Sequence, residues 1–247
     1  MTGLPRRNRW LAGLRRLILR PVTPLLQRWF RRHYAVERRW WRQGLDIIVQ
    51  PGVFPPGPTV STAVLLDHFA RRFPGTALAG RRVLDLGCGT GLVGLFLARA
   101  GAWVVSSDIN PAALANARLN AVRNGLILRP VLADQATSFA PDAFDLIIIT
   151  PPYYPHDPAS MAERAWFCGD DFAYFRRLAP QLAALDLART EVLMLLSEDC
   201  AVETINAILS GQGLGLRLVH AKRSWLEMTW LLRVVAYAKP TDVGASA

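Results

Sequence analysis

The chain has 247 residues, 51% of them apolar, enough for one α/β domain with a small appendage. Its cysteines (Cys88, Cys168 and Cys200) share no metal-ligand spacing, and an odd set of thiols points to a reducing, cytoplasmic setting without a disulfide framework. No apolar run approaches the ~18 residues of a membrane span, and the net charge of +10 is confined to residues 1–50, where twelve arginines face Glu37 and Asp46.

From Arg6 to Arg20 the spacing of Trp10, Leu14, Leu17 and Ile18 predicts a helix with one apolar face ringed by arginines. Pro21 and Pro24 interrupt it. A second segment, Leu25 to Trp41, carries Trp29, Phe30, Tyr34, Trp40 and Trp41 among basic residues. Such an arm can lie on an anionic membrane surface, grip RNA by pairing phosphates and stacking bases, or serve as an organelle transit peptide. It can equally pack as a helical lid with its arginines in water. Residues 51–58 (PGVFPPGP) form a Pro/Gly hinge. The expected organisation is a basic helical arm over 1–50, the hinge over 51–58, and one domain over 59–247.

Within that domain Ser61 or Thr62 is expected to cap a helix from Ala63 to Phe73, whose Leu65, Leu66, Phe69 and Phe73 share a face. Strands follow near 82–86, 103–108, 128–133, 144–150 and 192–197, with helices near 91–100, 111–123, 171–187 and 201–210. Two closing strands, near 214–221 and 229–238, have no helix between them and read as an antiparallel hairpin. The fold class is α/β, a doubly wound, mainly parallel seven-stranded sheet with a short basic helical arm.

The stretch from Arg82 to Asp108 organises the whole: strand, glycine turn (Gly87, Gly89, Gly91), helix, strand, acid. It is one βαβ unit with a nucleotide-sized crevice at the carboxyl ends of its strands. Asp108, at the end of the second strand, can accept hydrogen bonds from both hydroxyls of a ribose. Gly89, Gly91 and Gly94 also spell the dinucleotide pattern G-x-G-x-x-G, a weak signal alone. Asp85 argues against NAD, because a carboxylate two residues before the first glycine repels a pyrophosphate and attracts a cationic amino acid group.

DLGCGTG, followed downstream by Thr150-Pro151-Pro152-Tyr153 where the fourth strand should end, resembles the class I methyltransferases that use S-adenosylmethionine. More narrowly it resembles those that methylate planar nitrogens. The closing antiparallel hairpin matches the methyltransferase version of the Rossmann-like fold. The resemblance implies that Asp85 and the backbone of Gly87, Cys88, Gly89, Thr90 and Gly91 hold the methionine part of the cofactor. It implies Asp108 for the ribose, Ile109 beside the adenine and Asp134 for its amino group. Upstream, Val53-Phe54-Pro55-Pro56 with Ser61-Thr62 resembles a cofactor-covering segment of release-factor glutamine methyltransferases. Pro56 stands there in place of arginine, and no glutamate follows Thr62. RNA guanine N2 methyltransferases of the small-domain group share the sheet and the PPY.

Methyl transfer from a sulfonium needs alignment more than acid–base help, so a cofactor cradle and a nucleophile clamp are expected rather than a catalytic triad. In the family motif the residue before the first proline and that proline's carbonyl accept hydrogen bonds from the target nitrogen, and the aromatic ring stacks on the planar group. Thr150 stands where Asn or Asp is usual and offers a shorter acceptor. His156, in the loop 154–170, is a possible general base, and no metal set is expected. The reading is a methyltransferase acting on nitrogen of a protein side-chain amide or an RNA base. The alternatives are a cofactor-binding, catalytically weak module tethered by its basic arm, and an enzyme on small planar amines. Localisation is expected to be cytoplasmic, with organelle targeting or peripheral membrane attachment through the arm as alternatives.

Overall fold

The computed structural model describes residues 35–56, 60–198, 200–223 and 228–237. The helix expected over Arg6–Arg20 and most of the Leu25–Trp41 segment lie outside the described residues. Where description begins, the chain is not helical. Strand β1 (Arg38–Arg42) and strand β2 (Leu45–Val49) form an antiparallel hairpin, Arg38 opposite Val49 and Arg42 opposite Leu45. The two turn residues, Gln43 and Gly44, both have positive φ (49° and 72°), the combination whose twist matches a two-residue hairpin.

A seven-stranded sheet follows, built from β3 (Arg82–Leu86), β4 (Trp103–Asp108), β5 (Arg129–Leu132), β6 (Leu146–Ile149), β7 (Glu191–Ser197), β8 (Leu214–Arg223) and β9 (Met228–Ala236). Its order is β5-β4-β3-β6-β7-β9-β8, parallel from β5 through β7 and antiparallel where β9 joins β7 and β8. Helices α1 (Val60–Arg72), α2 (Leu92–Arg99), α3 (Pro111–Arg123), α4 (Ala173–Ala183) and α5 (Val202–Ser210) connect the strands. The order turns back between β3 and β6, and ligands of open α/β sheets bind outside the carboxyl ends of strands at such a switch point.

Side-chain alternation along each strand divides the core in two. Val83, Leu146, Ile148, Leu193, Leu195 and Leu231 meet Leu65, Phe69 and Leu95 on one face. Leu84, Leu86, Ile147, Ile149, Met194 and Leu232 meet Phe175, Leu178 and Ile205 on the other. Strand β6 is buried along its whole length, as a strand covered on both faces must be. Among the described residues no helix is long and apolar enough to cross a membrane.

Two expected boundaries shift for local reasons. Helix α1 begins at Val60, ahead of the expected Ala63, so Ser61 and Thr62 lie in its first turn. Helix α4 is shorter than the 171–187 expected: Phe172 before it has φ 62°, and Pro180 sits in its last turns, where it lacks an N–H to donate. The start of α3 follows expectation, with the Asn110 side chain accepting from the N–H of Ala112 and Pro111 in the first turn.

The hairpin corrects the helical reading of the segment ending at Trp41. Leu45, Ile47 and Val49 belong to the same core cluster as Leu65 and Phe69, so residues 38–49 are part of the domain's body rather than an arm ahead of a hinge. What holds β2 in place is a ladder of side-chain amides on α3. The Oδ1 atoms of Asn124, Asn120 and Asn116 accept from the N–H groups of Asp46, Ile48 and Gln50 at 2.9, 2.8 and 3.0 Å. Their Nδ2 atoms return bonds to the carbonyls of Asp46 and Ile48, each at 2.8 Å. Positions four apart on a helix fall on one line, as do alternate residues of a strand, so α3 stands in for the missing neighbour strand.

Candidate cofactor and acceptor site

The carboxyl ends of β3, β4 and β6 open into a cavity of about 500 Å³. After β3 the chain turns sharply, and the N–H groups of Gly87 and Cys88 both donate to the Ser107 carbonyl, at 2.8 and 2.9 Å. Gly91 precedes α2 with φ 78°, and a Cβ there would stand 2.8 Å from the Ala117 Cβ. At Gly94 a Cβ would lie 2.7 Å from Ser106 Oγ and 3.1 Å from Asp85 Oδ2. Both positions therefore require glycine. The turn brings α2 close enough for the Gly94 N–H to donate to Asp85 Oδ2 at 2.9 Å.

Two acids are tied into this turn. Asp85 is 1% exposed. Burial pushes its carboxyl up to about 7 against the lowering effect of the Gly94 hydrogen bond, and the nearby charge of Asp108 adds to the rise. Asp108 accepts from the N–H of Gly89 through Oδ2 and from that of Asn110 through Oδ1, both at 2.9 Å. Burial raises its carboxyl too, and those hydrogen bonds oppose the rise. Burial likewise keeps Cys88 as the thiol.

The expected site residues converge. Asp85, Gly87, Cys88, Gly89, Thr90, Asp108, Ile109, Asp134, Thr150, Pro151, Pro152 and Tyr153 all line the one cavity. Gly91 does not line it; it packs behind the turn. Asp134 is held at the rim by Arg177, 2.9 Å from Oδ2. The Thr150 carbonyl comes within 3.9 Å of a Cβ built on Gly87, so the PPY segment leaves β6 directly beside the glycine turn.

The insertion after the PPY is closed at its base. The N–H groups of Tyr153 and Tyr154 donate to the Trp166 carbonyl at 3.2 and 3.1 Å, and the N–H of Cys168 donates to the Tyr154 carbonyl at 2.9 Å. The Trp166 ring meets Phe54 at 4.6 Å between centroids, and Tyr153 and Tyr154 lie 4.8 Å apart. Segments 52–56 and 154–169 thus wall one side of the cavity with aromatic rings. His156 is not among the lining residues; it is 62% exposed, 3.8 Å from Asp170. Among the described residues no three of His, Cys, Asp and Glu gather as a metal-ligand set.

Sequence reasoning missed two functional connections. Trp166 acts through its carbonyl, which no side-chain pattern reveals. Asn120 donates to the Thr90 carbonyl at 2.9 Å as well as to Ile48, joining the hairpin to the glycine turn. Its spacing from Asn116 and Asn124 was the available signal.

Residues 44–165 match the family model of the methyltransferase small domain, so this part of the chain resembles the small-domain methyltransferases in sequence. It is 33% identical over 115 residues to a ubiquinone biosynthesis O-methyltransferase of Aeromonas salmonicida, covering 46% of this chain and 44% of that protein. It is 35% identical over 114 residues to a release factor glutamine methyltransferase of Geobacter sulfurreducens, covering 45% and 38%. The chain therefore spans less than half the length of these relatives. Among solved structures, a 16S rRNA N2-guanine methyltransferase of T. thermophilus, in complex with AdoMet and guanosine, superposes with a TM-score of 0.56 at 20% identity. That match covers 82% of this chain and 50% of the other.

Proposed function

We propose that this chain is an S-adenosylmethionine-dependent methyltransferase acting on a planar nitrogen of a macromolecule, a protein side-chain amide or an RNA base. The observation that carries this reading is the convergence on one cavity of two acids tied to a glycine turn and a proline-stiffened aromatic strand exit.

The residues present suit the cofactor. A Cβ built on Gly89 meets nothing within 4 Å, so the turn's backbone is open to a ligand. Asp85 is a buried carboxylate whose ionisation a bound cation would favour. When bound, S-adenosylmethionine supplies a methyl group on positive sulfur, already an excellent leaving group. Asp85 and the Gly87–Gly91 backbone would hold its amino acid end. Asp108 would accept from the ribose hydroxyls, Ile109 would flank the adenine, and Asp134 would read its amino group. On the acceptor side Thr150 and the Pro151 carbonyl would accept from the target N–H groups, orienting the nitrogen lone pair and offsetting charge as it develops. Tyr153 would stack on the planar group. The three buried free cysteines support a reducing, cytoplasmic setting.

A second reading, a cofactor-binding module with weak transfer, draws on Thr150 in place of Asn or Asp. Measurable turnover that disappears in Tyr153→Ala would eliminate it. The cofactor itself is tested by calorimetric titration with S-adenosylhomocysteine, with NAD as the competing ligand. Binding of the first, lost in Asp85→Ala, supports the proposal and licenses a radiolabelled-methyl screen of RNA and protein extracts. Binding of NAD instead would overturn it.

A further inference from the structure

Away from the cavity, the β1–β2 turn, the middle of α1 and the end of β8 bring together cations from separate stretches of sequence. Asp67 on α1 is the pin. Gln43 Nε2 donates to its Oδ1 and Lys222 Nζ to its Oδ2, both at 2.9 Å. Lys222, and to a smaller extent Arg42, hold this carboxyl below its usual value despite partial burial. Beside it the rings of His68 and His220 lie 5.2 Å apart. Both imidazoles sit below their usual value, first through burial. His220 and then Arg72 and Arg71 add to this at His68, and Arg71 and Lys222 add to it at His220. The Arg99 guanidinium reaches the same turn, 3.1 Å from where a Cβ on Gly44 would stand.

The positive charge here exceeds its compensation. Glu191, the other acid that His68 senses, is engaged by Arg72 and Arg233. Among the described residues no carboxylate lies within ion-pair distance of Arg42, Arg71 or Arg99. Next to Arg42, Trp41 is 67% exposed, with the Arg39 guanidinium 5.3 Å from its ring centroid. Arg39 is itself fixed to Asp46 at 2.7 Å. Strand β1 runs from this cluster toward the cavity end, where Arg38 faces Val49, just before the cavity-lining Gly52.

We propose that this surface binds single-stranded RNA, with Arg42, Arg71 and Arg99 facing phosphodiester groups and Trp41 stacking on a base. The inference deepens, and rests on, the macromolecular reading of the cavity above by naming the partner. Cations held on a helix, a strand end and a hairpin turn match a polyanion whose charges recur along its length. The exposed Trp41 indole, with the Arg39 guanidinium beside its ring, offers a stacking face. An interfacial helix would instead need a continuous apolar stripe to enter a lipid headgroup layer, and along β1 arginines flank the tryptophans.

The test uses the full chain and a fluorescein-labelled single-stranded RNA of mixed sequence, followed by anisotropy across a salt series. The wild type should bind with an affinity that falls steeply as salt rises. Combined Arg42→Glu and Arg71→Glu should weaken binding at least tenfold, and each lost phosphate contact should reduce the salt slope by about 0.7. Trp41→Ala should weaken it about fivefold or more, with Trp41→Phe recovering most of the loss. Thermal midpoint and S-adenosylhomocysteine titration should stay unchanged in these surface variants, excluding misfolding. RNA binding equal to wild type in all three variants overturns the proposal, because the contacts would then lie elsewhere in the chain. No RNA binding by the wild type, with capture on phosphatidylglycerol vesicles that the variants abolish, overturns it in favour of a membrane surface. Failure of the wild type to bind S-adenosylhomocysteine while RNA binding behaves as expected would defeat the methyltransferase reading and leave this one standing.

Discussion

The carboxamide of Asn120 satisfies both backbone groups of Ile48, accepting from its N–H and donating to its carbonyl, each at 2.8 Å. All three residues of the ladder act this way or nearly so, and Asn120, fully buried like Asn116, also reaches the Thr90 carbonyl. Replacing it with alanine strands a buried N–H and relaxes two carbonyls at once. Asn120→Ala should lower unfolding free energy by about 2–4 kcal/mol, read as a shift in denaturant midpoint. A loss below about 0.5 kcal/mol would mean that water replaces the amide.

Asp85 makes two pH predictions of opposite use. Its folded carboxyl titrates near 7, above the ordinary 3.8, so its contribution to stability is complete below about 4 and is lost as pH rises through 7. The ligand-free protein should therefore gain thermal midpoint relative to Asp85→Asn as pH is lowered from 8 to 6. The α-ammonium group of S-adenosylhomocysteine prefers the ionised acid, so affinity for that ligand should rise with pH up to about 7 and then level off. In Asp85→Asn that rise should be absent, which isothermal titration at three pH values would reveal.

Gly94 touches both the fold and the site. Its missing side chain leaves the space that Ser106 Oγ and Asp85 Oδ2 occupy. Gly94→Ala should push α2 away from β3, costing about 1–3 kcal/mol, and should weaken cofactor binding by lengthening the Gly94–Asp85 hydrogen bond. Unchanged binding with reduced stability would show that the bond serves only the fold.

Thr150 and Tyr153 distinguish positioning from architecture on the acceptor side. Thr150→Asn supplies the longer acceptor of the family motif and should raise transfer to a planar amide or amine without altering affinity for S-adenosylhomocysteine. Tyr153→Ala should reduce transfer at least a hundredfold, the order expected when a reacting group loses its alignment. Methyl-transfer rates beside calorimetric titrations separate the two effects.

Much of the sheet was legible because parallel strands covered on both faces become apolar runs, as Leu146–Ile149 does. The acids around the glycine turn were legible because they sit at fixed spacing around the glycines whose N–H groups they accept from. Strand β1 was not. RRWWR carries no alternation of apolar and polar residues, since Trp40 packs against the core while its neighbour Trp41 faces water, and adjacent aromatics among arginines read equally well as one face of a helix. The partners of β2 were hidden for a different reason. Asparagines four apart on α3 look like a solvated stripe until the strand they serve is placed beside them. On the acceptor side Tyr153 announced itself through the prolines before it, whereas Trp166 positions that segment through a backbone carbonyl.

The amide ladder also orders events during synthesis. The N–H groups of Asp46, Ile48 and Gln50 find their acceptors 78, 72 and 66 residues later. A ribosome adding residues from the amino end exposes the hairpin well before Asn116 to Asn124 emerge, and contacts so distant in sequence close slowly. Until then β2 has an open edge able to pair with other strands. The nascent chain must therefore keep its first strands apart from other polypeptides for as long as it takes to translate the whole glycine turn and α3.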